Sequence, residues 1–284
     1  MIDAVVTGAG GFIGQALLHR LRHVEGQTVA ERQRQDGDVS EAATWDRLPP
    51  AAVVYHLAGR NFVPDSWSDA PGFMATNVVG TERAITYCQR HGAKLVLASA
   101  YVYGVPQHLP ICEDDTAQPN NPYALSKLMA EQAVEFAADY RGVRASVLRL
   151  FNVFGPGQRQ EFLIPSILRQ VRQEKAIQVM SLTPRRDYVF IDDVVDAFIR
   201  AARAEHGFSR FNIASGVSLS VAEVCGAIQD VAGTSWPLRC EGIDRPEEIP
   251  DTRASIDHAR DVLGWQPRIS FHEGIRRMVD RSNS

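Results

Sequence analysis

The segment DAVVTGAGGFIG, residues 3–14, decides how this chain is read. A short apolar run meets three glycines spaced three apart, Gly8, Gly11 and Gly14. Ile13, Leu17, Leu21 and Val24 then recur at helical spacing. The pattern predicts a buried strand, a tight turn and an amphipathic helix. Each glycine has its own reason: Gly8 permits the turn, Gly11 lets backbone approach a pyrophosphate, and Gly14 lets the helix pack on the strand. The N–H groups opening the helix are free to face phosphates. This corner is therefore read as a dinucleotide cradle.

Outward from it, strands and helices alternate. AAVVYHLAG (51–59), KLVLAS (94–99) and RASVLRL (144–150) read as strands. PGFMATNVVGTERAITYCQRHG (71–92), ending at Gly92, and PYALSKLMAEQAVEFAADYRG (122–142) read as helices. Such alternation predicts an α/β fold, a doubly wound parallel sheet with helices on both faces. The pattern changes after about residue 152. We expect a dinucleotide-binding domain over 1–152 that the chain revisits at about 187–206. A smaller α+β substrate-binding domain is expected over 153–186 and 207–284. Ser220 with Glu223, and Ser270 with Glu273, have capping-box spacing, and Gly264 reads as a helix end.

The chain has 284 residues, 45% hydrophobic and 23% charged, with net charge -4. That balance gives no reason to expect nucleic acid or a membrane surface as partner. No apolar run approaches ~18 residues, and the first residues enter a strand without a basic leader. A cytoplasmic protein is expected. Cys88, Cys112, Cys225 and Cys240 lack zinc-site spacing and are expected to be buried free thiols. The eight histidines are scattered, and His56 is expected to be a strand residue near the cofactor. No metal is expected.

The segment NNPYALSKLMAEQ sets Tyr123 and Lys127 four apart on one helical face. Lysine is scarce, with Lys94 and Lys175 the only others, and chance supplies roughly 0.07 such pairs in this chain. An ammonium about 4 Å from a phenol interacts by roughly 4 kcal/mol at an effective dielectric of ~20. That is enough to draw a phenol from about 10 toward neutral pH, where a general acid/base works best. Ser99, ending the strand KLVLAS, supplies a hydroxyl at the sheet edge that faces ligands. Asn77 is a helix-disfavoured polar residue with a candidate site role.

Taken together the motifs resemble those of the extended short-chain dehydrogenase/reductases, in the NAD-dependent epimerase/dehydratase group that acts on nucleotide sugars. TGAGGFIG resembles that group's TGxxGFIG, VVYHLAG its HLA strand, NVVGTERAI its NVxGT helix, LASAYVYG its SSxxVYG and NPYALSK its YxxxK. LRLFNVFGPGQ, RRDYVFIDDVVDA, FNIASG and RPEEIPDTRASIDHARDVLGW resemble its later landmarks. The resemblance implies Tyr123, Lys127 and Ser99 as the catalytic set. It implies cofactor contacts from Phe12 and Ile13 beside the glycines, from Leu57, Ala58 and Gly59, and from Asn77, Tyr123 and Lys127. On the substrate side it implies Ser99, Ala100 and Tyr101, with Asn152, Arg186 and Arg245 at a diphosphate. Arginine suits that task because its fork donates two bonds to phosphate oxygens. It also implies a homodimer built on the helices that carry Asn77 and Tyr123. Phe62 and Trp67 either line the sugar pocket or anchor their loop.

Two departures matter. Ala100 and Tyr101 stand where the group's 4,6-dehydratases carry an Asp-Glu pair, which argues against that chemistry. In TVAERQRQDGDVSE (28–41), Asp38-Val39 looks like the pair near adenine but arrives almost at once after the ribose-reading position. A similar compression occurs in 4-keto-sugar reductases that favour NADPH. Counting from Gly8 puts the ribose reader at Glu31; counting from Gly26 puts it nearer Gln33, flanked by Arg32 and Arg34, which suit a 2′-phosphate. The expected function is NAD(P)-dependent reduction of a 4-keto (6-deoxy) sugar nucleotide, NADP(H) preferred and NAD possible. Alternatives are a nucleotide-sugar 4-epimerase, an oxidoreductase of another small substrate, and a dinucleotide-sensing regulator without turnover.

Overall fold

A computed structural model of the chain describes residues 1–173, 176–242 and 248–281. Its strands are β1 (Ile2–Thr7), β2 (Val29–Arg32), β3 (Ala51–His56), β4 (Lys94–Ala100), β5 (Ala145–Leu150), β6 (Asn152–Phe154), β7 (Ile177–Val179), β8 (Arg185–Phe190), β9 (Phe208–Ile213), β10 (Ser218–Ser220) and β11 (Leu238–Cys240). Six of them form one parallel sheet in the order β2-β1-β3-β4-β5-β9. The central strands β4 and β5 are buried along their whole length, as apolar strands covered on both faces must be.

Helices cover those faces: α1 (Phe12–His23), α2 (Ala42–Asp46), α3 (Val63–Ser68), α4 (Ala70–Met74), α5 (Gly80–His91), α6 (Pro122–Arg141), α7 (Leu163–Gln173), α8 (Ile191–Arg203), α9 (Val221–Ala232), α10 (Asp257–Leu263) and α11 (Phe271–Arg281). Helix α6 is started by Asn121, whose side chain accepts from the Ala124 N–H at 2.8 Å, with Pro122 in its first turn. Left-handed Gly92, Gly142 and Gly264 end α5, α6 and α10. The Ser220–Glu223 capping box forms in full. At Ser270 only half forms, because the Glu273 carboxylate turns to Arg276 and Arg277.

The expected doubly wound sheet is present, with two corrections. Phe208–Ile213, assigned above to the second domain, is the sixth strand of the main sheet and pairs with β5 along its length. Ala259, Leu263 and Trp265 follow it into the same core as β1 and β5. Polar Ser209, Arg210 and Asn212 interrupt the apolar Phe208, Phe211 and Ile213, and an edge strand tolerates that where a central one does not. The thiols also differ: Cys88 and Cys225 are buried, but Cys112 and Cys240 lie in a loop and a short strand and are exposed.

The remaining elements sit on the carboxyl edge of this sheet. β6, β8 and β10 form a small sheet, β7 pairs with β11, and α7, α9 and α11 pack around Phe154, Phe190 and Ile228. No helix among the described residues is long and apolar enough to cross a membrane.

Between β2 and β3 the chain makes only a 3₁₀ turn (Arg34–Asp36) and the short α2. β2 is thus the edge strand on this side, opposite β9, and the compression read in the sequence is a missing outer unit of the sheet.

Candidate active site

The glycine turn is built as its spacing requires. Gly8 has φ +68°, and a Cβ there would lie 2.6 Å from the Ala58 nitrogen and 2.7 Å from the Leu57 carbonyl carbon. A Cβ on Gly14 would stand 2.2 Å from the Gly8 carbonyl oxygen. A Cβ on Gly11 would meet only that same oxygen, at 3.1 Å, so its outer side faces open space. Phe12 and Ile13 begin α1, which has neither a side-chain cap nor an acid in its first turn. Backbone donors and helix dipole thus converge on an uncapped cradle, which fits a dinucleotide pyrophosphate. Leu57, Ala58 and Gly59 form its far wall, and a Cβ on Gly59 would stand 3.0 Å from Asn77 Oδ1 and 3.7 Å from Lys127 Nζ.

At the end of β2 the two counts from the sequence separate. Glu31 pairs with Val6, below the edge, and its carboxylate meets Arg22 on α1 at 3.0 Å. Gln33 is the first residue beyond the strand, and its side-chain oxygen is what a Cβ on Gly10 would meet, at 3.0 Å. The geometry puts Gln33, not Glu31, beside the glycine turn. Arg34 is exposed. Arg32 instead donates to the carbonyls of Glu31 and Arg47, at 3.0 and 3.4 Å. Asp38 accepts from the Ser40 N–H and hydroxyl, and Val39 is buried against Gly80.

Tyr123 and Lys127 lie in the first two turns of α6, and the Tyr123 ring meets Phe73 edge-on with centroids 6.2 Å apart. The expectation of a depressed phenol is not met. Burial pushes Tyr123 above its ordinary value, and Lys127 donates to the Ala98 carbonyl. Burial also lowers the Lys127 ammonium to about 8, opposed by nearby Glu131. His56 is fully buried beside Thr7, Nδ1 2.7 Å from Oγ1, and burial with the Lys127 charge lowers it to about 3, leaving it neutral.

Asn77 sits in a π-helical turn (Ala75–Val79) between α4 and α5. Such a turn widens the helix and often marks a functional site. Its amide is fully engaged: Oδ1 accepts from the Arg60 N–H at 2.8 Å, and Nδ2 donates to the Arg60 carbonyl and Ser126 Oγ at 3.0 and 2.8 Å. It clamps the loop after β3 onto α6, which sets the Gly59 backbone beside Lys127.

Ser99 is buried at the end of β4 and donates its hydroxyl to Glu131. The sequence reading passed over Glu131, although it lies four residues beyond Lys127 on the same helical face. It also passed over Arg149, the lone charge within the apolar strand β5, which pairs with Glu131 at 2.8 Å.

On the substrate side, Ala100 is buried and Tyr101 is half-buried, its hydroxyl bonded to the Gly104 carbonyl at 2.7 Å. Burial raises the Tyr101 phenol against the pull of the Arg186 charge, so the two lie near one another. Arg186 is tethered by Glu248 and by the Ile249 carbonyl at 2.7 Å. Asn152 reaches the Asp187 carbonyl at 3.3 Å. Asp187 is a buried hub whose carboxylate accepts from Ser215, Gly216 and Ala254. Burial lifts it to about 6 despite those bonds. Arg245 lies outside the described residues. Phe62 lies under the Arg159 guanidinium at 5.4 Å, joining the loop after β3 to the loop before α7, whereas Trp67 is exposed.

This arrangement has known counterparts. The UDP-glucose 4-epimerase of Mycolicibacterium smegmatis is 32% identical, over 97% of this chain and 97% of that protein. The GDP-6-deoxy-D-mannose reductase of Pseudomonas aeruginosa is 29% identical, over 96% and 95%. The solved structure of RMD from Pseudomonas aeruginosa complexed with NADPH superimposes with a TM-score of 0.90 at 28% identity, covering both chains in full. That of MoeE5 in complex with UDP-glucuronic acid and NAD has a TM-score of 0.89 at 31% identity, over 99% of each chain. Residues 4–214 match a single family description, and the chain belongs to the NAD dependent epimerase/dehydratase family.

Proposed function

We propose that the protein reduces a 4-keto (6-deoxy) sugar nucleotide with NADPH, Tyr123 acting as the general acid. The observation that carries the choice of cofactor is the end of β2. Gln33, a neutral residue, lies beside the glycine turn, Glu31 is held away by Arg22, and Arg34 stands exposed next to it. Gln33 itself carries no charge to repel a 2′-phosphate, the nearest carboxylate, Asp36, is engaged by the Gln33 N–H at 2.8 Å, and Arg34 adds a cation that attracts one. A nicotinamide dinucleotide held on the turn supplies the hydride. Tyr123, kept protonated by burial, gives its proton to the ketone oxygen. Asn152 and Arg186 receive the diphosphate, and Glu248 yields its place on Arg186. Arg245 is proposed for the same task from its motif.

A 4-epimerase is the second reading, favoured by the 32% identical relative. The same Tyr123, Lys127 and Ser99 would first oxidise and then reduce one sugar carbon, with NAD retained. Fluorescence titration with NADPH and NADH, followed by turnover on a GDP-4-keto-6-deoxyhexose, separates the two. Co-purified NAD with no NADPH oxidation on any ketosugar would favour the epimerase. Removing the exposed cation offers a sharper check. Arg34→Ala should weaken NADPH about 10- to 100-fold, the worth of one charge-assisted bond, and leave NADH unchanged. Equal effects on both cofactors would sink the 2′-phosphate assignment.

We also propose a homodimer. Leu125, Met129, Phe136 and Tyr140 line one face of α6, each 40 to 75% exposed. Charged residues normally take such positions, and an apolar stripe of this kind marks an interface. Phe136→Glu should lower the mass in light scattering from twice the 31.4 kDa chain to a single copy. An unchanged mass would place the interface elsewhere.

A further inference from the structure

The buried Glu131–Arg149 pair beneath Ser99 has a consequence for the reaction centre. The Arg149 Nε lies 3.0 and 3.2 Å from the two carboxylate oxygens, and Nη2 lies 2.8 Å from Oε2. The two side chains are only 3% and 2% exposed. Arg149 is further fixed by Tyr103 and the Glu113 carbonyl, at 2.8 and 2.9 Å, and the Tyr103 hydroxyl donates in turn to the Asn212 amide oxygen. Every partner in this network has a set donor or acceptor role, because a guanidinium can only donate and a carboxylate can only accept. The Ser99 hydroxyl joins it as a donor to Glu131. A serine hydroxyl has one hydrogen and two lone pairs. With its hydrogen committed to Glu131, Ser99 can only accept from anything else that reaches it.

We propose that Glu131 is a positioning residue that sets the polarity of Ser99. Held by Arg149, it draws the Ser99 proton away from the substrate, so Ser99 accepts a hydrogen bond from a sugar hydroxyl and Tyr123 is the one hydroxyl that donates to the ketone oxygen. The inference rests on the proposed sharing of one reaction centre by Ser99 and Tyr123. Its energetic sense is that the site favours the alcohol over the ketone, since a ketone offers Ser99 no hydrogen. Geometry on α6 makes this possible, because Tyr123, Lys127 and Glu131 follow at intervals of four on one face.

Two substitutions release the Ser99 proton by different routes. In Glu131→Gln the amide oxygen must face donor-only Arg149, which turns the NH₂ toward Ser99 and leaves the serine hydrogen free. Glu131→Asp keeps the ion pair but retracts the carboxylate by one methylene. Glu131→Asp also guards against the unpaired buried arginine that could unfold Glu131→Gln.

The decisive readout is suppression. With NADPH and a GDP-4-keto-6-deoxyhexose, either substitution should slow the Tyr123-containing enzyme. Added to Tyr123→Phe, either should raise the residual turnover about tenfold, because Ser99 can then donate to the developing alkoxide while water completes the alcohol. Damage to the fold would lower both. Double variants no faster than Tyr123→Phe would overturn the proposal. A second measurement needs no turnover. Ser99→Ala should lower the thermal midpoint by about 4 °C when Glu131 is present, and by less than about 1 °C in E131D. Equal losses in both backgrounds would also overturn it. Should the native enzyme reduce no ketosugar, the proposed reaction fails, and this thermal cycle still decides whether Glu131 holds the Ser99 proton.

Discussion

Tyr123→Phe should lower turnover of a 4-keto sugar nucleotide by about 10³-fold while NADPH binds as before. The substitution removes one oxygen and keeps the ring that packs edge-on against Phe73, so α6 retains its seat. What disappears is the proposed proton donor to the ketone oxygen, a contribution typically worth 10²–10⁴. The direction of the Tyr123 shift bears on this. Burial raises the phenol, so it holds its proton through neutral pH, which suits donation in the reductive direction. Lys127 contributes differently. Its ammonium is fixed by the Ala98 carbonyl within reach of Gly59 and Asn77, where the proposed role is to grip a cofactor hydroxyl. Lys127→Met should therefore weaken NADPH and slow turnover together, whereas Tyr123→Phe splits the two. Steady-state kinetics with a parallel fluorescence titration reads both. Turnover unchanged in Tyr123→Phe would remove the proposed acid.

How much of this was legible in the sequence follows from how local each feature is. The glycine turn and the Tyr123–Lys127 pair are set by spacing within one strand–helix corner and one helix, and both stand where their spacing put them. The compressed link after β2 was legible as missing length, and the fold shows which unit is missing. Phe208–Ile213 was misplaced because its partner, β5, lies some sixty residues earlier, and no local pattern reports which sheet an edge strand joins. The same holds for Ser99, Glu131 and Arg149. They come from β4, α6 and β5, and only packing brings the three together. The phenol was misjudged for a related reason. The i, i+4 spacing puts an ammonium near a tyrosine, but it carries no information about burial or about the Ala98 carbonyl that competes for that ammonium.

The glycines of the turn are not equivalent, and a set of alanine substitutions should rank them. Gly14→Ala should be the most damaging, because its new Cβ would stand 2.2 Å from the Gly8 carbonyl oxygen and also within 3.0 Å of Ala9 backbone. Backbone cannot swing aside, so α1 must move off the turn that it opens. Overpacking of this kind costs about 1–3 kcal/mol, and more where nothing yields. The displaced helix would also carry the Phe12 and Ile13 N–H groups away from the proposed pyrophosphate site, so NADPH affinity should fall by more than about 100-fold, the loss of two charge-assisted bonds. Gly8→Ala meets Ala58 backbone at 2.6 Å and adds the left-handed penalty of about 1–2 kcal/mol at φ +68°. Gly26→Ala is the matched control. It has nearly the same φ, +65°, with nothing within 4 Å, so it pays only the backbone penalty and should bind NADPH normally. Gly10→Ala meets only the Gln33 side chain, at 3.0 Å, which can rotate away. Its effect should appear in the choice between NADPH and NADH, because Gln33 lies at the proposed ribose-reading position, and hardly at all in stability. Thermal unfolding and cofactor titration of the four variants test the ranking. If Gly14→Ala and Gly26→Ala bound NADPH equally, the close approach of α1 to the turn would not be what builds the cofactor site.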